Sequence, residues 1–384
     1  MPPKIIKVKN SEQNKHKTVI CNIDPISKFF LIFLSFVGWN RCRVFNVNKV
    51  VSKLIVIYSI CLNITLCYLS FKWRTNIYIE CVKVANIISF SSCSFFNYVF
   101  TNKFRSFYED LHTFNLITGY NLKIDKSAIQ NTRLCVTYIM FLCITYVFLI
   151  SMNFLNESAI CHAAIYVMFN IEQFYYGHLF AILLPRIQIL RKILSTYFLE
   201  GKNSKIYEKS EIKDIVVFYG VLIKAYDNLN AAIKYQFLCF LILTFLTFVT
   251  FLDLTMVEVY AGDIQLWEMA TQAVNAFMKL VLPLFSPCFY ANCISDEVKD
   301  VRDLLVANLH KLAIVSKLTF FLSDKCSRRP AKTLLRLTKI RTLSFSLFRM
   351  FQVDSVLPFK LLVLIANYLI ILLQFQKVTG SQRY

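Results

Sequence analysis

The stretch VLPFKLLVLIANYLIILLQFQK, Val356 to Lys377, decides the fold. Between Leu361 and Phe375 it holds no charged residue, and its length matches the roughly 20 residues an α-helix needs to cross about 30 Å of hydrocarbon. Six more stretches can be read the same way: Lys49 to Phe71, Asn76 to Phe100, Leu134 to Leu155, Ile160 to Leu184, Tyr235 to Met256 and Leu266 to Cys293. The expected fold is therefore an all-α membrane protein with seven transmembrane helices. The second and fourth stretches are rich in polar residues (Ser91, Ser92, Ser94, Asn97; Asn170, Glu172, Gln173), so they should face protein or water more than lipid.

Composition agrees. The 384 residues are 57% hydrophobic and only 17% charged, too apolar for an ordinary soluble domain. Seven Gly and eight Pro leave few chain breaks, whereas a β-barrel needs many short alternating strands with frequent turns. The net charge of +20 lies in the segments between apolar runs and not on one aromatic-interleaved face, which argues against nucleic acid as a partner. Thirteen Cys are scattered, mostly in apolar stretches, without zinc spacing; they read as packing residues, and neither metal nor cofactor is expected.

Residues 1–48 form an N-terminal segment with a short apolar run, Pro25 to Trp39, flanked by Lys28, Arg41 and Arg43 and read as an interfacial or core-packed helix. No cleavable signal pattern is visible, so the first span should itself direct insertion. Residues 49–293 hold spans 1 to 6, residues 294–355 form cytoplasmic anchor helices, and residues 356–384 form helix 7 with a short outer tail. Lys and Arg set the orientation, because basic residues flanking spans stay in the cytoplasm. The N-terminal segment and the second, fourth and sixth connections carry about 34 of them, against about 4 on the other face. That places the N-terminus in the cytoplasm and the C-terminus outside. Asn156-Glu157-Ser158 is a glycosylation sequon on the outer side of this topology.

In the long inner connections, apolar residues recur at helical spacing, as in Val298, Val301, Leu304, Leu305, Leu309 and Leu312, so several spans should continue as helices into the cytoplasm. Ser327 to Pro330 reads as a turn, and Ala331 to Phe351 as a basic helix leading into the last span. Glu172 and Lys279 lie at similar depths, where an unpaired charge costs about 3 kcal/mol or more. Either they pair with each other or they face a water-filled or ligand-contacting cavity.

Within the last span, Asn367-Tyr368-Leu369-Ile370-Ile371-Leu372-Leu373-Gln374-Phe375 resembles the signature of insect gustatory receptors, Thr-Tyr, five apolar residues and Gln-Phe, with Asn367 in place of Thr. The run from Phe345 through Val353-Asp354 and Leu357-Pro358 looks like that family's approach to the same helix. The resemblance implies a ligand-gated cation channel of the plasma membrane, related to insect odorant receptors. It implies a homo- or hetero-tetramer with other gustatory receptors, anchored by the cytoplasmic helix ends, with membrane lipids outside and a central pore lined by the last helix of each subunit. Asn367, Ile371, Gln374 and the neighbouring Phe375 share one helical stripe, and with Tyr368 they are the expected pore and gate residues. The structural alternative for Tyr368 and Gln374 is hydrogen bonding to a neighbouring helix or a headgroup.

A small-molecule tastant is implied as partner, bound in the outer half of the helices, where Tyr146, Ser151, His162, Tyr166, Asp253, Gln272 and Asn275 could line a pocket. Taken singly, each residue fits helix packing better, and only their aromatic and polar mixture points to a small-molecule site. The family's breadth favours bitter plant compounds over sugars or carbon dioxide. The alternative classes fit less well. A heptahelical G-protein-coupled receptor would carry Asp-Arg-Tyr after the third span and the opposite orientation, and a transporter would show repeated halves or Gly/Pro-broken helices. No nucleophile-base, metal or phosphate-loop pattern points to an enzyme.

Overall fold

The computed structural model describes residues 24–36, 41, 44, 49–71, 77–119, 126–151, 157–199, 212–261, 281–318, 325–340, 343–348 and 351–380. They are almost entirely helical: α1 (Pro25–Phe36), α2 (Lys49–Phe71), α3 (Ile77–Thr118), α4 (Lys126–Ser151), α5 (Glu157–Leu199), α6 (Ile212–Ala261), α7 (Leu282–Leu318), α8 (Lys325–Ile340) and α9 (Leu357–Gly380). Two short strands, β1 (Ser346–Leu347) and β2 (Phe351–Gln352), pair antiparallel between α8 and α9.

Helix lengths carry the first message. α3, α5, α6 and α7 run 42, 43, 50 and 37 residues, at least about 55 Å each at 1.5 Å per residue, nearly twice the hydrocarbon thickness. Each of these helices is therefore far longer than a bilayer's hydrocarbon is thick, as the apolar spacing in the segments between the apolar stretches suggests. In α7, Val298, Val301 and Leu305 are buried with Leu304 half-buried beside them. The most extensive packing joins α3 to α6 and α5 to α7, and α4 lies along α5.

Among the described residues, two helices are long and apolar enough to cross a membrane, Val50–Phe71 and Asp214–Thr250, with shorter apolar helices at Pro25–Ser35 and Leu357–Ile371. This is narrower than the seven spans read from the sequence. The physical reason in α3 and α5 is the polar content already noted, which lowers their hydropathy and is turned inward: Asn97, Asn170, Glu172 and Gln173 are all buried. By contrast α2 shows Leu54, Ile57, Ile60, Ile64 and Tyr68 on its outside, an apolar surface of the kind lipid would cover. Most of the expected sixth span, Leu266 to Val281, lies outside or at the edge of the described residues.

α1 is the short N-terminal apolar run, and it is core-packed. Phe30, Leu31 and Leu34 are buried on the bundle. Asp24 caps it, its carboxylate accepting from the Ser27 amide at 2.9 Å, with Pro25 at the first helical position where its missing N–H costs nothing.

Two local expectations are corrected. Ser327 to Pro330, read as a turn, are helical within the first turns of α8, where a proline is better tolerated than deeper in a helix. The basic helix expected from Ala331 to Phe351 stops at Ile340. Beyond it Leu343, Phe345 and Leu347 are buried while Ser344 and Ser346 are not, a two-residue period that belongs to extended chain. Phe348 turns the hairpin at φ 52°, a left-handed conformation that an aromatic residue adopts at some cost, and its ring stands edge-on to Tyr235 of α6 at 5.2 Å. Val353 then donates its amide to the Phe345 carbonyl at 2.8 Å, closing the hairpin just ahead of α9.

Candidate functional site

α9 is held along one edge only. Leu357, Leu361 and Ile365, four residues apart, are buried against α6 and α7, while Phe359 meets Phe285 of α7 and Tyr368 meets Phe245 of α6, edge to face. Asn367, Ile371 and Gln374 lie off that edge and are exposed in the single chain. Tyr368 is 38% exposed, with one edge of its ring against Phe245 of α6. Phe375 belongs to α9, but its side chain lies outside the described residues.

Of the expected ligand-lining residues, Tyr166 is described: half-buried on α5, it shares a hydrogen bond of 2.9 Å with Thr247 of α6. Tyr146 and Ser151 lie on α4, His162 on α5 and Asp253 on α6, with side chains outside the described residues; Gln272 and Asn275 lie outside them altogether. One turn below Tyr166, Asn170 donates to the Tyr138 hydroxyl of α4 at 2.9 Å. Among the described residues the Asn170 amide oxygen, both amide atoms of Gln173 and the Thr244 hydroxyl are buried without partners. Buried polar groups normally find one, so this band between α4, α5 and α6 stands out from the aliphatic core around it.

Deeper along α5 the sequence reading missed the strongest electrostatic feature. Glu172 is paired with a residue that depth did not suggest, while Lys279 lies outside the described residues. Arg41, from the segment after α1, reaches it with Nη2 at 2.5 Å, and both side chains are fully buried. Arg41 Nε donates to Asn97 Oδ1 of α3 at 2.6 Å, and Asn97 Nδ2 donates to the same carboxylate at 3.2 Å. Tyr176 donates its hydroxyl hydrogen to Glu172 at 2.5 Å and also touches the Gln236 amide of α6. A phenol has one hydrogen; once it is given to the carboxylate, the hydroxyl can only accept from Gln236, so that amide must present its NH2. Burial opposes charge on Arg41, but Glu172 and the neighbouring tyrosines outweigh it and push the guanidinium pKa up. The only sequence signal for this role was a basic residue just past a short apolar run.

A second polar contact fixes the same segment. Ser27 Oγ lies 3.0 Å from His178 Nε2 and Asp24 Oδ1 3.6 Å from it, with the imidazole fully buried on α5. Burial works to raise the Asp24 pKa, yet its hydrogen bond and charge interaction with His178, with help from Ser27, bring it down to about 2.

The described residues thus form a bundle of long helices with α1 packed into it and α9 held along one edge. The chain is similar over 91% of its length to the insect olfactory receptor OR5 from Machilis hrabei, solved in complex with eugenol, covering 97% of that chain with a TM-score of 0.63 at 13% identity. The sequence matches no family model and no curated protein. The chain thus shares its fold with an insect olfactory receptor, and a likeness at this identity is one of fold alone.

Proposed function

We propose that the chain is a subunit of an insect gustatory receptor, a tastant-gated, non-selective cation channel in the plasma membrane. In this reading it spans the membrane seven times with its N-terminus in the cytoplasm. Four copies, identical or mixed, surround a pore lined by α9. The observation that carries the reading is the likeness in fold to an olfactory receptor over 91% of the chain, taken together with the terminal motif Asn367 to Phe375. The one-edged packing of α9 supports it, because a helix left open in one copy has surface available for a closed ring of copies. The ligand is a small plant compound of bitter quality. The eugenol bound by the olfactory receptor is a small molecule too, and the polar and aromatic band around Tyr138, Tyr166, Asn170 and Thr247 is of the kind that orients one.

Expression in a cell without endogenous chemoreceptors, challenged with a panel of bitter plant compounds and sugars while calcium entry is recorded, tests the reading. A concentration-dependent entry that needs no G protein is expected. Surface-expressed protein that stays silent to the whole panel in bilayer recording as well as in cells would refute it.

A further inference from the structure

Arg41 sits in surroundings built for a cation. Its guanidinium carbon lies 4.4 Å from the Phe104 ring centroid, 4.7 Å from that of Tyr175 and 5.7 Å from that of Tyr176. Glu172 closes the cage with a carboxylate, and Asn97 supplies an amide oxygen to the Nε–H. Aromatic faces around a desolvated positive charge with one carboxylate make the pattern by which proteins recognise organic cations, and the planar fork of guanidinium suits it better than a compact ammonium. The walls come from α3 and α5, backed by Gln236 of α6 through Tyr176, whereas the occupant comes from a short linker outside these helices.

We propose that this cage is a guanidinium-class organic-cation site that the chain fills with its own Arg41, a tethered ligand that clamps the segment before α2 onto α3 and α5. The tether explains why a cation stays in so dry a place. Phe30 of α1 stacks obliquely on Tyr175 at 5.6 Å and on His178 at 5.5 Å, and Ser27 bonds His178, so α1, which ends five residues before Arg41, is held on the same wall. An intramolecular cation held this way has a high effective concentration and excludes free competitors. Removing the side chain while keeping the walls should convert the internal contact into a binding site for a free cation of the same shape. The inference concerns an internal clamp and stands whether or not the protein conducts ions.

The test uses the full chain as wild type, Arg41→Ala, and Arg41→Ala combined with Glu172→Gln, each solubilised and melted in methylguanidinium, tetramethylammonium or sodium chloride at equal ionic strength. Arg41→Ala is expected to melt below wild type, and methylguanidinium is expected to raise its midpoint along a saturating curve, as a ligand of the folded state does. Wild type, whose site is filled, and the double variant, which lacks the carboxylate, are expected to show no more than the salt effect. A methylguanidinium response equal to that in sodium chloride, or equal across all three proteins, would overturn the proposal. If Arg41→Ala does not accumulate, the same comparison is read as surface level in cells grown with methylguanidinium. Recovery of that variant alone supports the proposal, and no recovery overturns it.

Discussion

Gly177 of α5 and Ser286 of α7 are in such close contact that a Cβ built on Gly177 would overlap the Ser286 side chain. The approach has a polar purpose: Ser286 reaches the Asn131 amide oxygen of α4, and Asn131 Nδ2 donates to the Phe174 carbonyl of α5 at 3.0 Å. Three helices thus meet where the fifth carries no side chain. Gly177→Ala must push α5 and α7 apart or turn Ser286 away, and overpacking of this kind costs about 1–3 kcal/mol. Its melting midpoint should fall, and Gly177→Ala with Ser286→Gly should recover much of the loss. Additive losses in the double variant would sink the explanation.

A second prediction separates a buried acceptor from its exposed donor. Asp110 of α3 is buried and accepts from Lys224 and Asn228 of α6, both at 2.9 Å, while Lys224 is 70% exposed. Asp110→Ala leaves Asn228 without this acceptor at the main helix interface and should cost on the order of 1–3 kcal/mol. Lys224→Ala removes a screened charge and should cost less than about 1 kcal/mol. Thermal midpoints of the two variants decide; a larger loss for Lys224→Ala contradicts the burial argument.

The third concerns acid. The Asp24 pKa is lowered in the fold from 3.8 to about 2, so its charge stabilises the protein above the unfolded value and that contribution disappears as pH falls through the folded one. Asp24→Asn keeps a helix cap but loses the charge. Wild type should therefore exceed it in midpoint at pH 5, by on the order of 1 kcal/mol, with the gap closing between about pH 4 and pH 2. A gap unchanged down to pH 2 would show that the carboxylate's charge is not what His178 holds.

The fourth ties α9 to conduction. Gln374 is exposed on the side of α9 away from its packed edge. If four copies ring a pore, Gln374→Lys places like charges around one axis and should reduce cation current at unchanged surface level, whereas Gln374→Glu should preserve it. Phe375→Ala, widening an apolar constriction, should raise basal current. Reversal potentials measured beside surface labelling check this, and selectivity identical in the Lys and Glu variants removes Gln374 from the pore.

The fifth is topological. If the chain spans the membrane seven times, about 34 of its basic residues would flank spans on one face, so an epitope at the N-terminus should be unreachable by antibody in intact cells and one at the C-terminus reachable. The opposite labelling would exclude the channel reading.

The helices themselves were legible in the sequence because hydropathy and period are local. Each apolar stretch of α2, α6 and α9 declares itself within its own length, and the inward turn of Asn97, Asn170 and Gln173 followed from the cost of polar groups in lipid. The basic helix read through Ala331 to Phe351 failed on the same local ground: the two-residue alternation of Leu343, Phe345 and Leu347 is too short to outweigh the helical run before it. What only the tertiary structure decided is which buried groups meet. Depth alone left Glu172 either pairing with Lys279 or facing a cavity, and gave no hint of Arg41, 131 positions away, which meets it. A charge at a given depth states that it needs a counter-charge and not which one, since the choice depends on how the helices turn about one another and where a linker folds back. Gly177 carries the same lesson, because its meaning lies in the Ser286 side chain that fills the space its own would take.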